Sequence, residues 1–203
     1  AHGAAFTRAG VQRGDGGLVH AGWSGGGTAA VHFAPATGAM VNCTSRTAAK
    51  LEQVRALGLD EGITVSGSPQ QFVERIRELT GDRGVDVILD LVGGDYFPAN
   101  LQALATRGRL ICAATSAGRK AEIDLGLALR KRATIIGTVL RARSTGEKAE
   151  ARRRLAAHVL PLVARGAGRP VIDRVYPVAD TRAAHQALES NRTRGKCGPD
   201  VSQ

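Results

Sequence analysis

The sequence predicts an α/β fold, a doubly wound parallel sheet of the Rossmann type, and three observations predict it. Residues 16–28, GGLVHAGWSGGGT, carry a short apolar run into a glycine turn and then into helix-compatible residues. Strand-like and helix-like segments alternate from there to residue 114, and no repeat or low-complexity tract interrupts them. Such βαβα alternation implies parallel strands covered by helices on both faces.

Taken in order, Leu18, Val19 and His20 end the first strand, and Thr28, Ala29, Ala30 and Val31 begin a helix-compatible run that contains Pro35. A second strand over 39–43 leads to a helix over 47–57. A third, over 62–65, leads to a helix over 69–79, where Phe72, Val73, Ile76 and Leu79 are spaced for one apolar face. VDVILDL, 85–91, is a buried-strand run ending at Gly93-Gly94, followed by a helix over 97–105 and a fifth strand over 109–114. The pattern then loosens into a sixth strand over 133–140, a long helix over 147–164, a strand over 172–176 and a helix over 179–189.

A strand delivered through glycines into a helix can seat a pyrophosphate on backbone N–H groups. Gly22 makes the tight turn, Gly25 or Gly26 lets the main chain approach the phosphates, and Gly27 lets the helix pack on the strand. Ser24 stands where the common fingerprint has its second glycine, and a ligand-free structural turn is the alternative reading. About twenty residues on, an NAD-preferring site places a carboxylate. Here Asn42, Cys43 and Thr44 are followed by Ser45, Arg46, Thr47 and Lys50, a hydroxyl and cation cluster suited to a 2′-phosphate. The alternative is that Ser45 caps the next helix and Arg46 is solvated. Ligands of open α/β sheets bind outside the strand carboxyl ends, so Gly93, Gly94, Ala114 and Thr115 should line one crevice with the glycine turn.

At 203 residues, 43% hydrophobic and 23% charged, the chain has the composition of a globular domain with a substantial core. No apolar stretch reaches the roughly 18 residues of a membrane span, and a cytoplasmic location is the default. The net charge of +10 comes mostly from scattered arginines, and with 3% aromatics there is no base-stacking platform, so nucleic acid is not the expected partner. Cys43, Cys112 and Cys197 lack any zinc-binding spacing, and Cys43 and Cys112 read as small buried hydrophobes. His20 could face a cofactor or be a strand-end histidine satisfied by backbone. No constellation suggests a nucleophilic hydrolase.

With these residues in view, VQRGDGGLVHAGWSGGGTAA, VDVILDLVGGDY, GRLICAATSAGRKAEIDL, KRATIIGTVLRARS and PVIDRVYPVADTRAAHQALES resemble the cofactor-binding half of NADPH-dependent quinone oxidoreductases. These are zinc-free medium-chain dehydrogenases/reductases of the p53-inducible branch, and the likeness runs from about Ala5 to Lys196. The resemblance implies NADPH as cofactor, a quinone-like acceptor and a homodimer paired through the strand near 133–140. It places Gly22, Ser24, Gly25 and Gly27 on the pyrophosphate and Arg46, Thr47 and Lys50 on the adenosine phosphate. Val92, Gly93 and Gly94, with Ala114, Thr115 and Ser116, fall near the ribose and nicotinamide, and Leu140, Arg141 and Arg143 where the family reaches back to the cofactor. No catalytic acid is named.

Departures from the family pattern accompany the likeness. Its members carry an N-terminal barrel-like substrate domain that this sequence does not contain. The expected organisation is therefore an inter-domain remnant over 1–14, a nucleotide-binding core over 15–145, an extension over 146–196 and an atypical tail over 197–203. In that tail, CGPDVSQ replaces an apolar strand, and Pro199 and Asp200 are poor strand residues. Gly17, Gly26 and a proline inside the first helix, at about 1 kcal/mol per glycine and about 3 kcal/mol for proline, predict lower stability and weaker cofactor affinity than a full-length relative. Two further readings stay open: a cofactor-binding or dimerising module without turnover, and a methyltransferase, which the lack of an acid at the second strand end disfavours.

Overall fold

The computed structural model describes residues 3, 8–190 and 192–201. Ala5, part of the predicted 1–14 remnant, and Ser202 and Gln203 of the tail lie outside the described residues. Six parallel strands, β1 (Gly16–Val19), β2 (Met40–Ser45), β3 (Glu61–Thr64), β4 (Val85–Asp90), β5 (Leu104–Cys112) and β6 (Thr134–Gly137), form one sheet in the order β3-β2-β1-β4-β5-β6. The connections contain helices α1 (Gly25–Phe33), α2 (Ala48–Arg55), α3 (Gln70–Thr80), α4 (Tyr96–Ala103) and α5 (Leu125–Lys131). This is the doubly wound order, and it puts the direction reversal between β1 and β4, where such sheets open a crevice.

Alternation along the strands divides the core into two layers, because successive side chains point to opposite faces. Val19, Val87, Leu89 and Ile111 pack with Val31, Val54 and Cys43 on the α1–α2 face. Leu18, Ile88 and Leu110 pack with Phe72, Val73 and Ile76 on the α3–α4 face. Helix α3 buries the apolar stripe that its spacing predicts, and Gly81, at φ 55°, ends it in the left-handed conformation that glycine adopts without strain.

Beyond β6 come α6 (Thr145–His158), α7 (Leu160–Ala164), β7 (Ile172–Pro177), α8 (Thr181–Glu189) and β8 (Lys196–Asp200). The two strands pair in parallel as a separate small sheet. No helix among the described residues is long and apolar enough to cross a membrane.

Several expectations need correction. Pro35 does not interrupt the first helix: α1 ends at Phe33 and Pro35 opens a separate 3-10 turn, where its missing N–H costs nothing. Pro199 and Asp200 do enter a strand, since a two-stranded sheet has only edge strands and these tolerate proline. The long helix over 147–164 breaks at Val159, ahead of Pro161. Its first half begins with a capping box in which Ser144 and Glu147 satisfy each other's backbone N–H groups. The sixth strand shortens to four residues, β5 starts five residues earlier than expected, and α5, capped by Asp124 accepting from Leu127 N–H, was not anticipated.

Candidate functional site

The glycine turn is built by two close approaches. A Cβ at Gly22 would fall 2.7 Å from the Cβ of Cys43 on β2, and one at Gly27 would fall 2.6 Å from Gly22 Cα. These glycines let β1, β2 and α1 meet at their ends, whereas Gly26 faces Leu91 at an ordinary 3.4 Å and has room for a methyl group. Ser24 is the N-cap of α1: its Oγ accepts from Gly27 N–H at 3.0 Å, and Thr28 returns both its N–H and its hydroxyl to the Ser24 carbonyl. The serine that departs from the fingerprint thus supplies one cap bond. The remaining first-turn N–H groups have no acceptor within the helix, and no acidic residue occupies that turn.

A cavity of about 730 Å³ opens at this helix end. Of the residues predicted for the site, Ser24, Gly25, Thr44, Arg46, Lys50 and Val92 line it, joined by Ser116. Burial, and then the neighbouring Arg46 charge, hold the Lys50 ammonium below the ordinary lysine range. Among the described residues no carboxylate lines the cavity, so an anionic ligand would relieve this crowding of positive charge. Thr47 serves instead as the N-cap of α2, with Ser45 inside β2 rather than capping the helix. The geometry fits a dinucleotide: a cradle that side chains at Gly22 and Gly27 would fill, and cations at the end of β2.

Gly93, Gly94, Ala114 and Thr115 do not share that cavity. They line a neighbouring one of about 310 Å³ with Asp90, Phe97 and Cys112. Asp90, buried at the end of β4, holds the turn between them by accepting from Val92 N–H at 2.7 Å and Gly93 N–H at 2.9 Å. Gly93 and Gly94 take φ of 73° and 56° and press against the main chain of 117–118, which explains both glycines. Leu140, Arg141 and Arg143 line neither cavity. Leu140 and Arg141 are exposed, and Arg143 donates to Thr138 Oγ1 at 2.8 Å beside the start of α6.

His20 answers to neither of its two sequence readings. It is fully buried, with Nδ1 2.8 Å from Thr44 Oγ1 and Nε2 2.6 Å from Asn100 Oδ1. Asn100 Nδ2 donates onward to Asp90 Oδ2 at 3.0 Å. The partners select the neutral tautomer in which Nε2–H donates to Asn100 and Nδ1 accepts from Thr44. Burial lowers the imidazole below its ordinary 6.5 against the opposing pull of Asp90 and the Asn100 bond. One polar chain therefore joins the end of β2 to the turn after β4. Burial also pushes the Cys43 thiol up to about 12 and, with the Asp90 charge, Cys112 up to about 11.

Sequence reasoning missed Trp23 and the segment around residue 194. The indole Nε1–H donates to the Thr193 carbonyl at 2.5 Å, and Lys50 and Arg194 approach the ring at 5.9 and 5.8 Å from its centroid. A tryptophan inside a glycine turn is the available signal, but its hydrogen-bond acceptor lies 170 residues away.

Comparison with known proteins agrees with this geometry. The chain is 34% identical over 189 residues, 93% of its length, to a spectinabilin polyketide synthase system protein of Streptomyces orinoci, of which it covers 8%. It is 29% identical over 180 residues to a quinone oxidoreductase of Salmonella typhimurium, covering 88% of this chain and 54% of that protein. The mycobacterial protein Rv1454c, solved in complex with NADPH, superposes with a TM-score of 0.85 at 32% identity, over 98% of this chain and 60% of that one. The chain thus spans about half the length of the quinone oxidoreductase. Although the matching family is named for zinc, no three His, Cys, Asp or Glu side chains gather among the described residues to hold a metal. With its family model matching residues 57–197, the chain belongs to the zinc-binding dehydrogenases.

Proposed function

We propose that this chain is the nucleotide-binding half of an NADPH-dependent oxidoreductase that reduces quinone-like acceptors. The observation that carries the reading is the 730 Å³ cavity, lined by Ser24 and Gly25 at the N-terminus of α1 together with Arg46 and Lys50. The helix end takes the diphosphate through main-chain N–H groups, and the two cations take the 2′-phosphate. Bound NADPH supplies the hydride, which is the difficult part of the chemistry. The chain's own residues bind and orient. Asp90, braced by Asn100, holds the turn that brings Val92 to the cavity wall, and Gly93, Gly94, Ala114 and Thr115 line the adjoining 310 Å³ cavity, where the ribose and nicotinamide end would lie.

The acceptor class rests on the likeness to a quinone oxidoreductase. A homodimer fits the edge of β6, which among the described residues pairs with β5 alone and exposes Ile135, with Val139 and Leu140 beyond it. A second reading, nucleotide binding without turnover, is favoured by the cavity's lining, which among the described residues offers cations for phosphates and no carboxylate to act as an acid.

Calorimetric titration of wild type and Arg46→Ala with NADPH and NADH tests the cofactor assignment. Loss of one charge-assisted pair should weaken NADPH about tenfold and leave NADH unchanged. An unaltered NADPH/NADH ratio removes Arg46 from the site. Steady-state NADPH oxidation with a simple quinone separates the two readings, since binding without turnover supports the module.

A further inference from the structure

Lys50 sits where three effects act against its charge. It is the third residue of α2, in the first turn, where the helix dipole presents its positive end. The side chain is half-buried, and burial together with the Arg46 charge holds the ammonium below the ordinary lysine range. A long flexible stem allows such a group to turn out to water. Lys50 instead lines the cavity with its ammonium over the Trp23 ring, 5.9 Å from the centroid. The electron-rich face of an indole attracts a cation, and most strongly one that has lost part of its water.

The ring is itself held. Its indole N–H donates to the Thr193 carbonyl, and the Trp23 carbonyl accepts from Gly195 N–H at 3.0 Å. Arg194, 5.8 Å from the same centroid, donates to Gln53 of α2 at 3.2 Å, which ties the ring's surroundings to the helix that carries Lys50. Trp23 also lines the cavity alongside Arg46 and Lys50. Ordering a lysine side chain costs conformational entropy, and a side chain ordered at the moment of binding subtracts that cost from affinity. Over a fixed ring the ordering takes place on folding instead.

We propose that Trp23 is a positioning residue for cofactor discrimination, its ring face holding the Lys50 ammonium at the cavity wall for the 2′-phosphate of NADPH. The inference rests on the nucleotide-binding reading above and adds to it a residue that acts through the lysine. NADH, with a ribose hydroxyl in place of that phosphate, gains nothing from the arrangement. Trp23 therefore acts on the ratio of the two affinities.

Calorimetry on the whole chain with NADPH and NADH tests it. Trp23→Leu should weaken NADPH about fivefold and leave NADH unchanged. Trp23→Phe, which keeps a ring face but no indole N–H, should retain most of the preference. In a Lys50→Met background, Trp23→Leu should weaken NADPH no further, because the lysine through which the ring acts is gone. An unmoved ratio in Trp23→Leu overturns the proposal, as does equal weakening of both cofactors. A loss in Trp23→Phe as large as that in Trp23→Leu, or a further loss on the Lys50→Met background, overturns it too. A ligand-free measurement stands beside these should a variant fold poorly. In proton NMR of wild type, the ring current should move the Lys50 ε-methylene upfield of the other lysines, and a shift like theirs overturns the proposal. Wild type that binds neither cofactor overturns the nucleotide-binding reading itself, whereas binding with an unmoved ratio sinks the role of Trp23 alone.

Discussion

The stretch up to Cys112 and the stretch after it use the same vocabulary of strands and helices but bury very different amounts of it. Every buried apolar side chain among the described residues lies at or before Ile111, with Val159 as the exception. Conversely, the large exposed apolar side chains, apart from Met40 and Leu79, all lie from Ile123 onward, with Leu129 77% exposed. The first region closes its own core because β1, β4 and β5 are covered on both faces. The second is fastened by the β7–β8 ladder and by the bonds of 193–196 to the glycine turn. Regular backbone structure and a closed core are separable properties.

The widest separation between the regions should come from truncating one leucine in each. Leu110→Ala, in the buried β5 layer, should cost about 3 kcal/mol in urea unfolding. Leu160→Ala, on half-exposed α7, should stay within about 0.5 kcal/mol. Similar losses would show that α7 belongs to the same cooperative core, and the contrast would dissolve. A smaller effect sharpens the account of the packed region through His20. Its folded pKa is lowered, so on acidification the unfolded chain takes up a proton near 6.5 that the buried imidazole refuses. Stability contributed by this group is intact above that value and falls as pH drops below it. The urea midpoint should therefore decline between roughly pH 7.5 and 5.5 more steeply in wild type than in His20→Gln, and parallel profiles would detach His20 from the acid response. Smallest is Gly26→Ala, which fills open space against Leu91 within α1 and should stabilise by about 0.5–1 kcal/mol. A lower melting temperature would mean that the turn needs glycine there for its own conformation.

What was legible in the sequence was what local geometry dictates. Gly22 and Gly27 announce a strand-to-helix turn because no other residue survives contacts that close, and the β-branched apolar run VDVILDL, bounded by glycines, fits a strand covered on both faces. Arg46 and Lys50 were visible because their spacing from the turn is set by one βαβ unit. Pro35 was misjudged for a local reason too, since a helix boundary one residue upstream turns an expensive proline into a neutral one. The features not legible are those that join distant segments. The His20–Asn100–Asp90 chain spans separations of 80 and 10 residues, and no periodicity encodes which asparagine will meet a buried imidazole. Pro199 entered a strand because of a pairing with β7 that the tail's composition does not reveal. Leu140, Arg141 and Arg143 came from a family pattern, and in this chain they lie away from both cavities.

Trp23 is the single tryptophan in the sequence, and it is clasped between the glycine turn and the Thr193 carbonyl. All indole emission from these 203 residues therefore originates at one seam, where the glycine turn meets the 193–196 segment. A shift toward longer wavelength under mild denaturant, ahead of the loss of far-ultraviolet ellipticity, would time the opening of that seam without any label.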